Sequence, residues 1–130
     1  HEVSEVFPYD LDGDGQDELA VIEPFHGDTL AVYKRSGVTW DRVFAAELGF
    51  GHGLWAGRLA GDGAVIVGNR AGSKHLCCYR VASASPFQME EIVIDPGAGT
   101  TNMTVIDLPE GQAVVASNPL RSEYALYRVE

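Results

Sequence analysis

The chain has 130 residues, enough for one modest hydrophobic core and too few for two ordinary domains. It carries 19 acidic against 9 basic side chains, a formal net charge of −10. Because binding to a phosphate backbone needs clustered cations, this balance argues against a nucleic-acid partner. No apolar run approaches the length that spans a bilayer, so a membrane partner is not expected either. The sequence begins at His1 without a Met, which suggests a mature form or an excised domain.

Short apolar or alternating runs, separated by turn residues, follow one another along the whole sequence. No window has the amphipathic period of a helix. The sequence therefore predicts an all-β fold, with these strands in chain order: Glu2–Tyr9, Glu18–Glu23, Thr29–Lys34, Thr39–Glu47, Gly53–Leu59, Ala64–Gly68, His75–Val81, Phe87–Asp95, Met103–Leu108, Ala113–Ser117 and Tyr124–Val129.

The strands group into repeat units over residues 1–50, 51–99 and 100–130 of a single domain or propeller fragment. When the units are superposed, two sets of residues align: Leu11, Leu59 and Leu108, then Tyr33, Tyr79 and Tyr127. A period of about 40–50 residues with four short strands is typical of a β-propeller blade. We therefore predict a β-propeller-like chain of about three antiparallel blades, the last of which lacks its fourth strand.

An incomplete blade leaves a sheet edge that something else has to cover. We expect either further blades of a longer parent chain or a homo-oligomer. Two copies would give about six blades, within the usual range of four to eight. The alternatives are an open, solenoid-like stack of sheets and a small β-sandwich.

Acidic residues alternate with glycine in the loop between the first two predicted strands. Calcium takes six to eight oxygen ligands, and alternating carboxylates in a tight turn can point toward one ion. The expected ligands are Asp10, Asp12, Asp14, the backbone carbonyl of Gln16, and Glu18, whereas Asp17 points away. An EF-hand is excluded because its twelfth position would be Val21. The alternative is a solvated Asp/Gly turn that binds nothing.

The stretch Asp10–Val21, DLDGDGQDELAV, resembles the FG-GAP/VCBS-repeat family of β-propellers, whose signature is Asp-x-Asp/Asn-x-Asp-Gly-x-x-Asp. The resemblance implies a calcium loop between the first and second strands of a blade, here with Glu18 in place of the last Asp. The second unit keeps only Gly61-Asp62-Gly63, and the third keeps Asp107. We therefore expect a single calcium site.

Two short segments carry a second, narrower resemblance. Glu-Pro-Phe-His-Gly at residues 23–27 and His-Gly-Leu-Trp at residues 52–55 are similar to parts of the propeller in aldos-2-ulose dehydratase-type proteins. That resemblance implies a Zn²⁺ ion, held by His26 and His52, that assists the elimination of water from a keto-sugar. The cupin domains of such enzymes are absent from this sequence.

In a propeller, the turns between second and third strands share one face with the connections between blades, opposite the calcium loops. Four side chains are expected on that face: His26, His52, Arg70 and Arg121. They would form a pocket for a sugar, a carboxylate or a metal-bound oxyanion. The alternative is that His26 caps a turn and that both arginines are ordinary solvated residues.

The only two cysteines, Cys77 and Cys78, are adjacent in a predicted strand. Their side chains should point to opposite faces, so a disulfide between them is not expected and core filling is the better explanation. Trp40 and Trp55 are likewise expected to pack inside the blades. The sequence leaves the compartment open: an extracellular or cell-surface location is favoured, and the unpaired cysteines are compatible with the cytoplasm.

The sequence has no phosphate-binding Gly-Lys-Ser/Thr loop, no Gly-x-Ser-x-Gly elbow and no Cys-x-x-Cys pattern. The favoured hypothesis is a non-catalytic, calcium-stabilised propeller segment that binds carbohydrate or protein, or serves as a scaffold. One alternative is part of a metal-assisted sugar dehydratase or lyase whose active site contains His26 and His52. Another is a purely structural repeat with no pocket.

Overall fold

A computed structural model describes residues 3–24 and 27–129 of the chain. Three antiparallel sheets follow one another along it. The first contains β1 (Glu5–Tyr9), β2 (Glu18–Glu23), β3 (Thr29–Ser36) and β4 (Thr39–Glu47). The second contains β5 (Gly51–Leu59), β6 (Asp62–Asn69), β7 (Leu76–Ala84) and β8 (Phe87–Asp95). The third contains β9 (Asn102–Leu108), β10 (Gly111–Asn118) and β11 (Glu123–Arg128).

Each predicted strand is present, with ends that differ by a few residues from the prediction. The largest change at an N-terminal end is in β1, which begins at Glu5 rather than at Glu2, a residue outside the described part of the chain. Within every sheet, strands that follow each other in sequence pair with each other. The prediction of an all-β chain with two four-stranded sheets and one three-stranded sheet is confirmed.

A single turn of 3-10 helix, Pro119–Arg121, is the only helical structure in residues 3–24 and 27–129. No helix in this part of the chain is long and apolar enough to cross a membrane.

The second sheet lies between the other two and is covered on both faces. Alternating residues of β6 contribute to two separate cores, with Val65 and Val67 toward the first sheet and Ala64 and Ile66 toward the third. This explains why β6 is apolar almost throughout, whereas strands with one exposed face alternate between apolar and polar residues.

The two cysteines follow the same alternation. Cys77 belongs to the core shared with the first sheet and Cys78 to the core shared with the third. Both are free and buried, and burial raises the pKa of each thiol to about 11. The prediction that they fill the core without forming a disulfide is confirmed.

The tryptophans differ from each other. Trp55 packs against the second core as predicted, but Trp40 is 44 % exposed, so the prediction that it packs inside a blade is wrong. It lies on β4, an edge strand, and lines an open groove of about 450 Å³ with Gln16, Asp17, Arg35 and Gly37. The sequence pattern of β4 did not distinguish its solvent face from its core face.

The sheets adjoin through their first strands, because β1 contacts β5 and β5 contacts β9. The connection at residues 48–50 and the first residue of β5 meet the turns after β2 and β6. The Gly51 amide donates to the carbonyl oxygen of Gly27 (2.9 Å), and the Ala71 amide donates to that of Gly49 (2.9 Å). The loop between β1 and β2 therefore lies at the opposite end of the sheets from these connections.

Candidate cation site in the β1–β2 loop

The acidic loop, residues 10–17, connects β1 to β2 and is anchored by an apolar residue near its start. Leu11 is 1 % exposed and belongs to the core between the first two sheets. Gly13 and Gly15 have positive φ values of 78° and 93°, a conformation that glycine adopts without steric cost. The buried leucine and the two glycines together turn the neighbouring acidic side chains toward one point.

Four carboxylates converge in this loop, from Asp10, Asp12, Asp14 and Glu18. Each offers an oxygen that lies within 4.8 Å of the corresponding oxygens of the other three. It is the one such group of acidic, histidine and cysteine side chains found in the described residues. Four carboxylates at this separation repel one another strongly unless positive charge lies among them.

Backbone amides hold the three aspartates in place. Asp10 Oδ1 accepts hydrogen bonds from the amides of Gly13 (2.9 Å) and Asp14 (3.1 Å), and its Oδ2 accepts one from Gly15 (2.9 Å). Asp12 Oδ1 accepts from the Asp14 amide (3.2 Å), and Asp14 Oδ1 accepts from the Gln16 amide (2.9 Å). In both Asp12 and Asp14, the Oδ2 atom is therefore the one left to face the centre.

Glu18 is the most buried of the four acids, with an exposed fraction of 0 %. Its Oε1 accepts hydrogen bonds from the amides of Leu11 (2.8 Å) and Asp12 (3.2 Å). Its Oε2 is buried and has no hydrogen-bond partner among the described residues. Burial raises the pKa of this carboxyl, although the two amide donors oppose the shift. An ionised carboxylate oxygen in that position needs a cation.

Lys34, on β3, extends its ammonium group into the ring of carboxylates. It pairs with Asp12 Oδ2 and with Asp14 Oδ2 (2.7 Å), and it lies 3.6 Å from Glu18 Oε2. Hydrogen bonds to Asp12 and Asp14 raise the pKa of the ammonium, and the bond from Lys34 is the main reason why the pKa of Asp14 is lowered. The carboxylate cluster is thus partly neutralised from within the chain.

The loop is also fixed against the second sheet. Gly63 passes so close that a Cβ atom there would lie 2.0 Å from the carbonyl oxygen of Leu11. The guanidinium of Arg58 lies 3.5 Å from the carbonyl oxygen of Asp10 and 6.0 Å from the centre of the Tyr9 ring. The acidic loop is therefore part of the contact between two sheets.

Gln16 is the remaining predicted ligand of this loop. The backbone amide of Gln16 donates a hydrogen bond to the Asp14 carboxylate, and the role of the Gln16 backbone carbonyl as a ligand stays a prediction. Asp17 is exposed and does not belong to the carboxylate cluster. In the second unit, Asp62 pairs instead with Arg80 (3.1 Å).

Three of the four residues predicted to line a pocket on the opposite face, His52, Arg70 and Arg121, lie in the described part of the chain. His26 lies outside the described residues. The Nδ1 atom of His52 lies 2.7 Å from the carbonyl oxygen of Thr101, which holds the ring against the connection between the second and third sheets. Arg70 is exposed. Zinc binding at His26 and His52, and ligand binding by the arginines, stay predictions.

Arg121, also predicted for that pocket, already has a carboxylate partner. Its guanidinium donates two hydrogen bonds to Asp95 (2.8 and 3.2 Å) and one to the carbonyl oxygen of Pro96 (3.1 Å). Tyr127 Oη donates to the same carboxylate (2.6 Å). These contacts give Arg121 a structural role at the end of β8.

Protonation of the Asp95 carboxylate at acid pH should lower the stability of the protein. The bond from Arg121 is the main reason that its pKa lies below the ordinary value of 3.8. A carboxyl whose pKa is lower in the folded state stabilises the fold above the unfolded-state pKa, and this contribution is lost as the pH falls through the folded-state pKa. We expect Asp95→Asn to cost about 1 kcal/mol at pH 7, since the guanidinium is partly exposed. Thermal unfolding should show that the stability difference between Asp95→Asn and the wild type narrows below about pH 3.8. The control variant Asp17→Asn should show no such pH-dependent difference. A stability difference for Asp95→Asn that stays the same at every pH would contradict the assignment.

Sequence reasoning missed Lys34. The signal was available in the strand pairing: Leu19 pairs with Tyr33, so the next residue of β3 comes beside the start of β2, where Glu18 lies. A pattern read along the chain does not show a side chain that arrives from a neighbouring strand.

Comparison of the sequence with models of known protein families found no match, and comparison with curated proteins found none either.

Proposed function

We propose that the chain is a calcium-stabilised segment of a β-propeller, in which one ion bound by the acidic loop fixes the contact between the first two sheets. The observation that carries this proposal is the Oε2 atom of Glu18, which is buried, lacks a hydrogen-bond partner among the described residues and lies beside three further carboxylates. A divalent cation would satisfy this oxygen and offset the repulsion.

The chemistry of the donor set supports calcium over zinc. The converging groups offer only carboxylate oxygens, and hard oxygen ligands suit Ca²⁺, Mg²⁺ and Mn²⁺, whereas zinc sites are typically built with cysteine or histidine. Calcium accepts six to eight oxygens in flexible geometry, so four carboxylates, the Gln16 carbonyl and solvent would complete its coordination. Magnesium demands a regular octahedron and keeps more of its water.

The experiment that tests this proposal is a calcium titration by calorimetry. Asp12→Asn should abolish or strongly weaken binding, because it removes a ligand charge whose side chain is 4 % exposed. Asp17→Asn is the matched control, since it changes the same loop outside the cluster, and it should bind like the wild type. If the wild type binds no calcium, or if both variants bind equally well, the proposal fails.

The propeller arrangement is the second part of the proposal. It is supported by three successive antiparallel sheets that adjoin through their first strands, as blades do around an axis. The module would bind carbohydrate or protein or serve as a scaffold, an assignment that rests on the FG-GAP/VCBS resemblance of the acidic loop.

Completion of the third sheet yields a separate prediction. β11 pairs only with β10 in the described part of the chain, whereas the third strand of each other sheet has a fourth strand beside it. Tyr124 and Leu126 on β11 are 88 % and 50 % exposed. An exposed edge with apolar side chains favours pairing with another strand, so we expect this chain to form a symmetric dimer. Light scattering at low protein concentration measures the mass, and a stable, well-folded monomer would contradict the prediction.

A further inference from the structure

The two lysines of the chain occupy very different environments. Lys74 lies in an exposed turn between β6 and β7. Lys34 has a side chain that is 33 % exposed, and its ammonium group lies within reach of three acidic side chains of the β1–β2 loop. The ammonium therefore takes the place that a bound cation would need.

The same oxygens are needed by the lysine and by a metal ion. Asp12 and Asp14 each use their Oδ1 atom to accept a hydrogen bond from a backbone amide, and each presents its Oδ2 atom to Lys34. A calcium ion that reaches these aspartates through the inward-facing oxygens has to displace the ammonium. Because both cations are positive and would lie beside the same two oxygens, they repel each other and compete for this position.

The ammonium is an incomplete substitute for calcium. It donates at most three hydrogen bonds and carries one positive charge, whereas calcium carries two and binds six to eight oxygens. Its distance of 3.6 Å from Glu18 Oε2 exceeds that of a hydrogen bond, so this buried oxygen lacks a hydrogen-bond partner among the described residues even with Lys34 in place. A divalent ion would still satisfy this oxygen, but its binding must first displace the Lys34 ammonium.

We propose that Lys34 is a built-in competitor of calcium, which holds the acidic loop together without metal and lowers its calcium affinity until the ion displaces the ammonium. This inference rests on the proposed calcium site. The long, flexible lysine stem and its partial exposure permit the head group to move into solvent while the strand stays in place. Lys34 would thereby determine the calcium concentration at which the acidic loop binds the ion.

The test compares Lys34→Met with Lys74→Met, which removes the other lysine by the same substitution. Calorimetry should show Lys34→Met binding calcium at least tenfold more tightly than the wild type, with Lys74→Met unchanged. In chelator, the melting temperature of Lys34→Met should fall below that of the wild type, because the carboxylates lose their internal counter-charge. Calcium should remove most of that difference.

A second measurement needs no variant. In protein with ¹⁵N- and ¹³C-labelled lysine, calcium should shift the NMR signals of the Lys34 side chain and leave those of Lys74 in place. If Lys34→Met does not fold in chelator, this measurement decides the matter. An unmoved Lys34 signal on calcium saturation would overturn the inference.

The outcomes separate the inference from the proposed function. Equal calcium affinity of wild type and Lys34→Met, or weaker binding by the variant, would overturn the role of Lys34 and leave the calcium site intact. Binding by Lys34→Met alone would support competition by Lys34 and overturn calcium binding by the natural chain. If neither protein binds calcium, both proposals fail.

Discussion

Calcium is expected to raise the melting temperature of the protein, and chelator to lower it. A ligand that binds only the folded state stabilises it by RT ln(1 + [L]/Kd), about 2.7 kcal/mol at a hundredfold excess over Kd. For a domain of this size, each kcal/mol corresponds to a shift of roughly 4 °C. Because the loop contacts both Gly63 and Arg58, the ion would strengthen the contact between two sheets as well as the loop itself.

Asp12→Ala should remove this calcium response. The variant also deprives Lys34 of a partner, so its melting temperature in chelator is the baseline from which the response is measured. Asp17→Ala should keep the wild-type response, since Asp17 lies outside the cluster. A melting temperature that is the same in chelator and in millimolar calcium would contradict the prediction.

Leu11→Ala is expected to cause the largest loss of stability of any single change in the acidic loop. Leu11 is 1 % exposed and packs in the core with Ile22, Leu54 and Val65. Truncation of a fully buried leucine costs roughly 2–5 kcal/mol, because apolar contacts are lost and a cavity remains. The change should also weaken calcium binding, since the buried Leu11 side chain anchors the loop between Asp10 and Asp12.

Urea unfolding in chelator measures the loss of stability caused by Leu11→Ala without a contribution from calcium. Leu120→Ala is the control, because this leucine is 59 % exposed and its truncation should change the stability by no more than about 0.5 kcal/mol. Similar losses in the two variants would show that Leu11 does not anchor the loop.

The strands were predictable because their patterns are local. β2, β4 and β8 have the predicted ends, since alternating or apolar runs there are bounded by glycine, proline and aspartate. The carboxylate cluster was predictable for a similar reason. Alternating acids in a glycine-containing turn point inward together, and the convergence of Asp10, Asp12, Asp14 and Glu18 follows from that spacing.

Features that depend on contacts between strands were not predictable in the same way. Lys34 reaches the site from β3, across the pairing of Leu19 with Tyr33. Trp40 is exposed because β4 is an edge strand with little covering its outer face, and neither fact is written in the local pattern. The ion pair between Arg121 and Asp95, from the preceding sheet, likewise joins residues that lie far apart in the sequence.

The most direct test of the calcium site is a crystal structure of the protein grown with calcium. The account predicts one ion bonded to Asp10, Asp12, Asp14 and Glu18 and to the carbonyl oxygen of Gln16, at calcium–oxygen distances of about 2.3–2.6 Å. It also predicts that the Lys34 ammonium has left Asp12 and Asp14. An ordered loop with no ion, in which Lys34 still pairs with both aspartates at millimolar calcium, would contradict it.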